Sequence, residues 1–183
     1  MKNNHASLWL NFGNPTVLNL DDDFEKKKYL VVTEDNSKDE TWVWLLIVAS
    51  AIEDVPESSA PFVAHPIHLH GHDFALLAQS EDHYDKNTVK IKTDNPPRRD
   101  VALLPAGGYL IIAFKADNPG AWLMHCHIAW HASGGLALQI LENKDDIHFD
   151  KDTQKAMDKT CAKWDAWYQK RPNKHEFQDD SGI

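Results

Sequence analysis

The chain has 183 residues, a formal charge of -9 and 42% hydrophobic residues, enough for one domain with a sizeable core and too few for two ordinary ones. The acidic balance argues against nucleic acid and anionic membrane as partners, and no apolar run is long enough to span a bilayer. Met1-Lys2-Asn3-Asn4-His5 leads into no long apolar segment, so no signal peptide is expected within these residues.

In chain order, Leu8-Trp9-Leu10-Asn11-Phe12 alternates and runs into Gly13-Asn14-Pro15, the pattern of an early β-strand with a turn at its end. Asp21-Asp22-Asp23 and Lys26-Lys27-Lys28 read as a solvated loop. Tyr29 to Thr33 reads as a strand and Glu34 to Glu40 as a polar turn. Thr41 to Ile52, with Trp42, Trp44 and a β-branched end, reads as a strand buried on both faces or nearly so. Glu53 to Ala60 forms a loop into a strand that starts at His65 and is continued by Asp73 to Gln79. Ser80 to Asn95 is polar and reads as an exposed excursion, with His83 a surface histidine by default.

Val101 to Leu104 and Tyr109 to Phe114 flank Pro105-Ala106-Gly107-Gly108 as a hairpin-like pair. Asn118-Pro119-Gly120 turns into a strand over Trp122 to His127, and Leu136 to Leu141 returns as the last strand. Many short strands with Gly/Pro turns predict an all-β, antiparallel Greek-key sandwich. Beyond Glu142, Met157, Cys161, Trp164 and Tyr168 recur at helical spacing, which predicts an amphipathic helix within Asp150 to Lys170. Asp150 or Asp152 caps its start and Pro172 lies past its end. Asn173 to Asp180 reads as an extended polar tail.

Two stretches carry the chemistry. The first is His125-Cys126-His127, with His131 five residues after the cysteine. On a strand, side chains alternate between faces, so Cys126 points one way and His125 and His127 the other. A thiolate with two histidines and a weak axial group is the donor set of a blue-copper centre. Structural zinc collects two or more cysteines at short spacing, and this stretch holds one. The second stretch, His65-Pro66-Ile67-His68-Leu69-His70-Gly71-His72, divides in the same way. His68 and His70 share one parity and His65 has the other, although Pro66 weakens the parity argument. Alone, this octet also suits a cupin metal site, an incidental zinc site or a solvated loop.

These motifs resemble the third and fourth copper-binding motifs of the multicopper oxidases. In detail they resemble the C-terminal cupredoxin domain of an ascomycete-type fungal laccase. Asn95-Pro96-Pro97-Arg98-Arg99-Asp100, Leu104-Pro105-Ala106-Gly107-Gly108, Asp117-Asn118-Pro119-Gly120-Ala121-Trp122 and the terminal Asp180-Ser181-Gly182-Ile183 extend the likeness. The resemblance implies a cupredoxin-like domain over residues 1–145 and a C-terminal helix with a plug-like tail over residues 146–183. It implies copper as cofactor, with His65, Cys126 and His131 as type 1 ligands and Leu136 at the axial position. His68 is implied as a type 2 ligand, and His70, His125 and His127 as type 3 ligands; His72 belongs to the motif without binding metal. Cys126 and His131 are then the residues on the electron path. The cysteine matching Cys161 bridges to the first domain in that family.

The activity implied is one-electron oxidation of phenolic donors coupled to reduction of O2 to water. It is carried out by secreted, lignin-degrading enzymes, so an extracellular location is expected. The family's trinuclear cluster takes eight histidines, and this chain supplies four. The N-terminal cupredoxin domains of the same enzyme are therefore expected as partners, and the isolated chain is expected to be inactive. A stand-alone blue-copper electron-transfer or copper-binding module is the alternative. A cupin-like metalloenzyme ranks third, because it leaves Cys126 without a role.

Overall fold

A computed structural model describes residues 8, 10–22, 31–34, 42–49 and 63–170. The charge block beyond Asp22, most of the turn after Thr33, the loop over residues 53–60 and the terminal tail lie outside the described residues. Among the described residues, nine strands form two sheets. β1 (Val31–Glu34), β3 (His65–Leu69), β6 (Val101–Leu104), β8 (Gly120–Cys126) and β9 (Ala137–Glu142) make one, in the order β1-β9-β8-β3-β6. β2 (Trp42–Val48), β4 (Phe74–Ser80), β5 (Arg98–Arg99) and β7 (Tyr109–Lys115) make the other, in the order β2-β7-β4-β5. β1 runs parallel to β9, and every other pair is antiparallel. This is the cupredoxin-like sandwich expected.

The core lies between the sheets. Val43, Phe74, Leu110, Ile112 and Phe114 from one sheet meet Ile67, Leu69, Leu104, Met124, Cys126 and Ile140 from the other. Each fully buried Leu, Ile or Phe among them contributes about 1.5–3 kcal/mol. Pro66 sits inside a central strand because its missing N–H is not needed there. Pairing with β8 starts one residue later at Ile67, and the Pro66 carbonyl accepts a hydrogen bond from His127 N at 2.7 Å.

Several expectations need correcting. The stretch from residue 10 to residue 22 contains a 3-10 turn over Thr16–Leu18 and no strand. Asn11, Asn14 and Asn19 bond locally there and compete with strand pairing. β2 is an edge strand covered on one face only, with Trp42, Trp44, Leu46 and Val48 all exposed. β4 does not continue β3, because the chain reverses at His70–Asp73 and changes sheet. Nor do β6 and β7 form a hairpin: β6 pairs with β3, whereas β7 pairs with β2 and β4. The turn at Gly107 (φ +70°) carries the chain from one sheet to the other.

Two helices complete the fold, α1 (Ala129–Ser133), which was not anticipated, and α2 (Lys151–Tyr168). Asp150 caps α2 by accepting hydrogen bonds from Asp152 N and Thr153 N. The helix touches the N-terminal segment through Trp164, edge-on to Phe12 at 4.9 Å between ring centres.

Candidate metal centre

β8 places the two clusters on opposite faces of its sheet. Its register sets Cys126 beside Ile67 and His125 beside His68 on β3. Ile67 and Cys126 face the core, so Cys126 is fully buried. On that side Cys126 Sγ lies 3.6 Å from His65 Nδ1 and 3.5 Å from His131 Nδ1, and the two nitrogens are 3.1 Å apart.

His131 reaches this site from α1. The loop that carries it is closed by backbone bonds from Cys126 N to the Leu136 carbonyl at 3.0 Å and from Leu136 N to the His131 carbonyl at 2.9 Å. Leu136 is tied to both residues through its backbone, and its side chain offers no donor atom.

On the opposite side, donor atoms of His68, His70 and His125 gather within 4.8 Å of one another. His70 Nε2 and His125 Nε2 approach to 3.1 Å. His68 Nδ1 donates to the Asp100 carbonyl at 2.6 Å, which leaves its other nitrogen for the cluster. His125 Nδ1 is tied in the same way to the Cys126 carbonyl at 2.9 Å. His127 lies just past the end of β8 and outside this three-residue group. Its ring stacks on His125 and stands edge-on to His68, each with centres 5.6 Å apart.

The electrostatics favour neutral donors. Burial holds the His65 pKa below its ordinary value, and His131 beside it adds to the effect. Burial also lowers His70, helped by His68 and His127. His125 is lowered first by burial and then by the neighbouring imidazoles, against its backbone bond to Cys126. Burial pushes the Cys126 thiol up, against a backbone bond at Ile128, and a bound cation would favour its thiolate.

The donor set suits such a cation. Nitrogen and sulfur donors about 2.0–2.3 Å from one ion lie roughly 3.3–3.8 Å apart in trigonal or tetrahedral geometry. The Cys126, His65 and His131 atoms stand at or just inside that spacing. One thiolate with two imidazoles suits copper, and an all-imidazole group suits copper or zinc.

His72 faces away from both groups. Its Nδ1 donates to the His70 carbonyl at 3.1 Å, and its Nε2 lies 3.0 Å from Glu142 Oε2, off the hydrogen-bond line. Burial alone would lower its pKa; Glu142 and the His70 carbonyl override this and raise it. Glu142, wholly buried at the end of β9, was missed as part of this region. Its signal was a lone carboxylate closing the apolar run Leu138-Gln139-Ile140-Leu141. His83 is exposed and belongs to neither cluster. Neither Cys126 nor Cys161 forms a disulfide within the described chain.

Comparison with known proteins matches this geometry. Residues 11–146 fit the sequence model of the family described as Multicopper oxidase. A laccase of Arthroderma benhamiae is 49% identical over 185 aligned positions, covering 97% of this chain and 29% of that protein. Laccase-2 of Botryotinia fuckeliana is 42% identical, covering 98% of this chain and 30% of its own length. The crystal structure of a laccase from Botrytis aclada superposes with a TM-score of 0.77 at 41% identity, covering 98% of this chain and 32% of that one. The chain therefore spans about a third of the length of the relatives it matches. On this fold, these motifs and these matches, the chain belongs to the multicopper oxidase family.

Proposed function

We propose that the chain is the C-terminal cupredoxin domain, over residues 1–145, of a laccase-type oxidase, followed by a helix and tail over residues 146–183. The enzyme would oxidise phenolic donors one electron at a time and reduce O2 to water, in an extracellular setting. In this reading His65, Cys126 and His131 hold a type 1 copper, with Leu136 at the axial position. His68 serves a type 2 copper, and His70, His125 and His127 serve type 3 coppers. Bound copper supplies one-electron redox chemistry, at a potential raised when the axial group is weak.

The chain's own residues do the rest. The core seals Cys126 from water, and the closed loop fixes His131 against it. His131 and His65 are both partly buried, and His131, carried on α1 beyond the sheet, offers its edge to a donor. Cys126 is joined by single peptide bonds to His125 and His127, the shortest covalent link this chain offers between the clusters. His68, His70, His125 and His127 form half of an eight-histidine cluster. The upstream cupredoxin domains of the same enzyme would supply the other half, so the isolated chain should not consume O2.

The observation that carries this reading is the convergence of Cys126, His65 and His131 at 3.1–3.6 Å. Titrating the chain with copper(II) should give an intense thiolate-to-copper absorption that Cys126→Ser abolishes. A chain that binds copper without that band, or keeps the band in Cys126→Ser, would overturn the type 1 assignment. No helix among the described residues is long and apolar enough to cross a membrane.

A further inference from the structure

His72 and Glu142 are buried polar groups that the proposed chemistry does not use. Their side chains are 4% and 0% exposed. A carboxylate in that position costs several kcal/mol unless its surroundings answer both oxygens. Here Oε1 accepts from Asn118 N at 2.6 Å, and Oε2 lies 3.0 Å from His72 Nε2, within ion-pair reach though off the hydrogen-bond line. The other His72 nitrogen holds the His70 carbonyl. Asn118 in turn donates through its side chain to the Gly71 carbonyl at 2.9 Å. Its own carbonyl accepts from Trp122 Nε1 at 2.7 Å. His70 N is bonded to the Leu123 carbonyl at 2.9 Å.

The peptides on both sides of His70 and Gly71 are thus fixed from three elements: β8, β9 and the turn before β8. His70 stands just past the end of β3, its N–H still bonded to the Leu123 carbonyl of β8 but its ring beyond the last ladder pair, Leu69 with Met124. The turn decides where that ring goes, and the turn is held by this network. We infer that His72 and Glu142 are positioning residues that aim the His70 imidazole at His125, fixing the geometry of the all-histidine metal site without touching metal. This inference rests on the reading of His68, His70 and His125 as copper donors. Outer partners of ligating imidazoles commonly change metal affinity by about 10–100-fold.

The test uses the full chain loaded with copper(II) and read by paramagnetic resonance. The spectrum should resolve a blue thiolate centre and a separate nitrogen-ligated copper, the latter removed by His125→Ala. His72→Gln and Glu142→Gln should each weaken the nitrogen-ligated site about 10–100-fold and change its hyperfine pattern. The blue centre, with Cys126 on the opposite face, should keep its affinity. Phe114→Leu, which loosens the ring packed on His72 but removes no hydrogen bond, is the packing control.

Unchanged affinity and spectrum in both polar variants would overturn the inference. So would equal losses at both copper sites in the polar variants and in Phe114→Leu, since packing would then be the cause. If the parent chain shows no copper signal sensitive to His125→Ala, the reading of the histidine cluster itself fails and takes this inference with it.

Discussion

Four histidines in the site region depart from their ordinary pKa, and they do so in two directions. His65, His70 and His125 are lowered, because burial withdraws water from their charged forms. Below the unfolded value of 6.5, the unfolded chain takes up protons that these three refuse. Their effect is therefore neutral above that value and destabilising as pH falls through it. His72 is raised and acts in the opposite sense. Its stabilisation is full below the unfolded value and is lost as pH rises through its folded pKa. On the three lowered histidines, the metal-free chain should melt at higher temperature at pH 7 than at pH 5.5, with His72 working against them. His72→Gln should enlarge that difference, and calorimetry at both pH values measures it. An unchanged or smaller difference in the variant would count against the His72 assignment.

At the level of elements, strand parity carried most of the information in the sequence. Alternation on β8 placed Cys126 and His125 on opposite faces, and β3 repeats the division because its pairing with β8 keeps like parities together. The sequence did not announce which strands pair. The stretches of β6 and β7 look like a hairpin, yet they close different sheets, because both faces of β7 are apolar and it must be covered on each side. Trp42 and Trp44 suggested a buried strand, since hydrophobicity alone does not say that β2 ends a sheet. The pairing of His72 with Glu142 was equally hidden, because it depends on the turn between β3 and β4. Gly71 makes that turn possible at φ +74°, and a Cβ there would stand 2.4–2.7 Å from atoms of the Trp122 indole. Gly71→Ala should cost more than about 1–2 kcal/mol, the left-handed backbone penalty alone. Denaturant unfolding would show this as a lower midpoint at unchanged slope. A midpoint within error of the parent would mean that the turn relaxes freely.

At the level of the molecule, the four-stranded sheet leaves Trp42, Trp44, Leu46 and Val48 exposed along one edge strand. Neighbouring exposed apolar side chains along the edge strand of a sheet favour association. The chain covers about a third of its relatives' length. Purified alone, it should self-associate with rising concentration. Trp44→Glu should shift sedimentation toward the monomer while leaving Val43, Leu45 and Ile47 in the core. Monomeric behaviour of the parent at high concentration would refute this.

The bond from Cys126 N to the Leu136 carbonyl ties the two ends of the His131 loop together, and a bond from Leu8 N to the Gly135 carbonyl anchors the loop to the N-terminal segment. The loop's boundaries are backbone groups, which any residue with a main-chain N–H can supply. Such a segment can be exchanged between relatives, or drift in composition, without renegotiating the two sheets. Tuning of the thiolate site and conservation of the scaffold can then proceed as separate evolutionary histories.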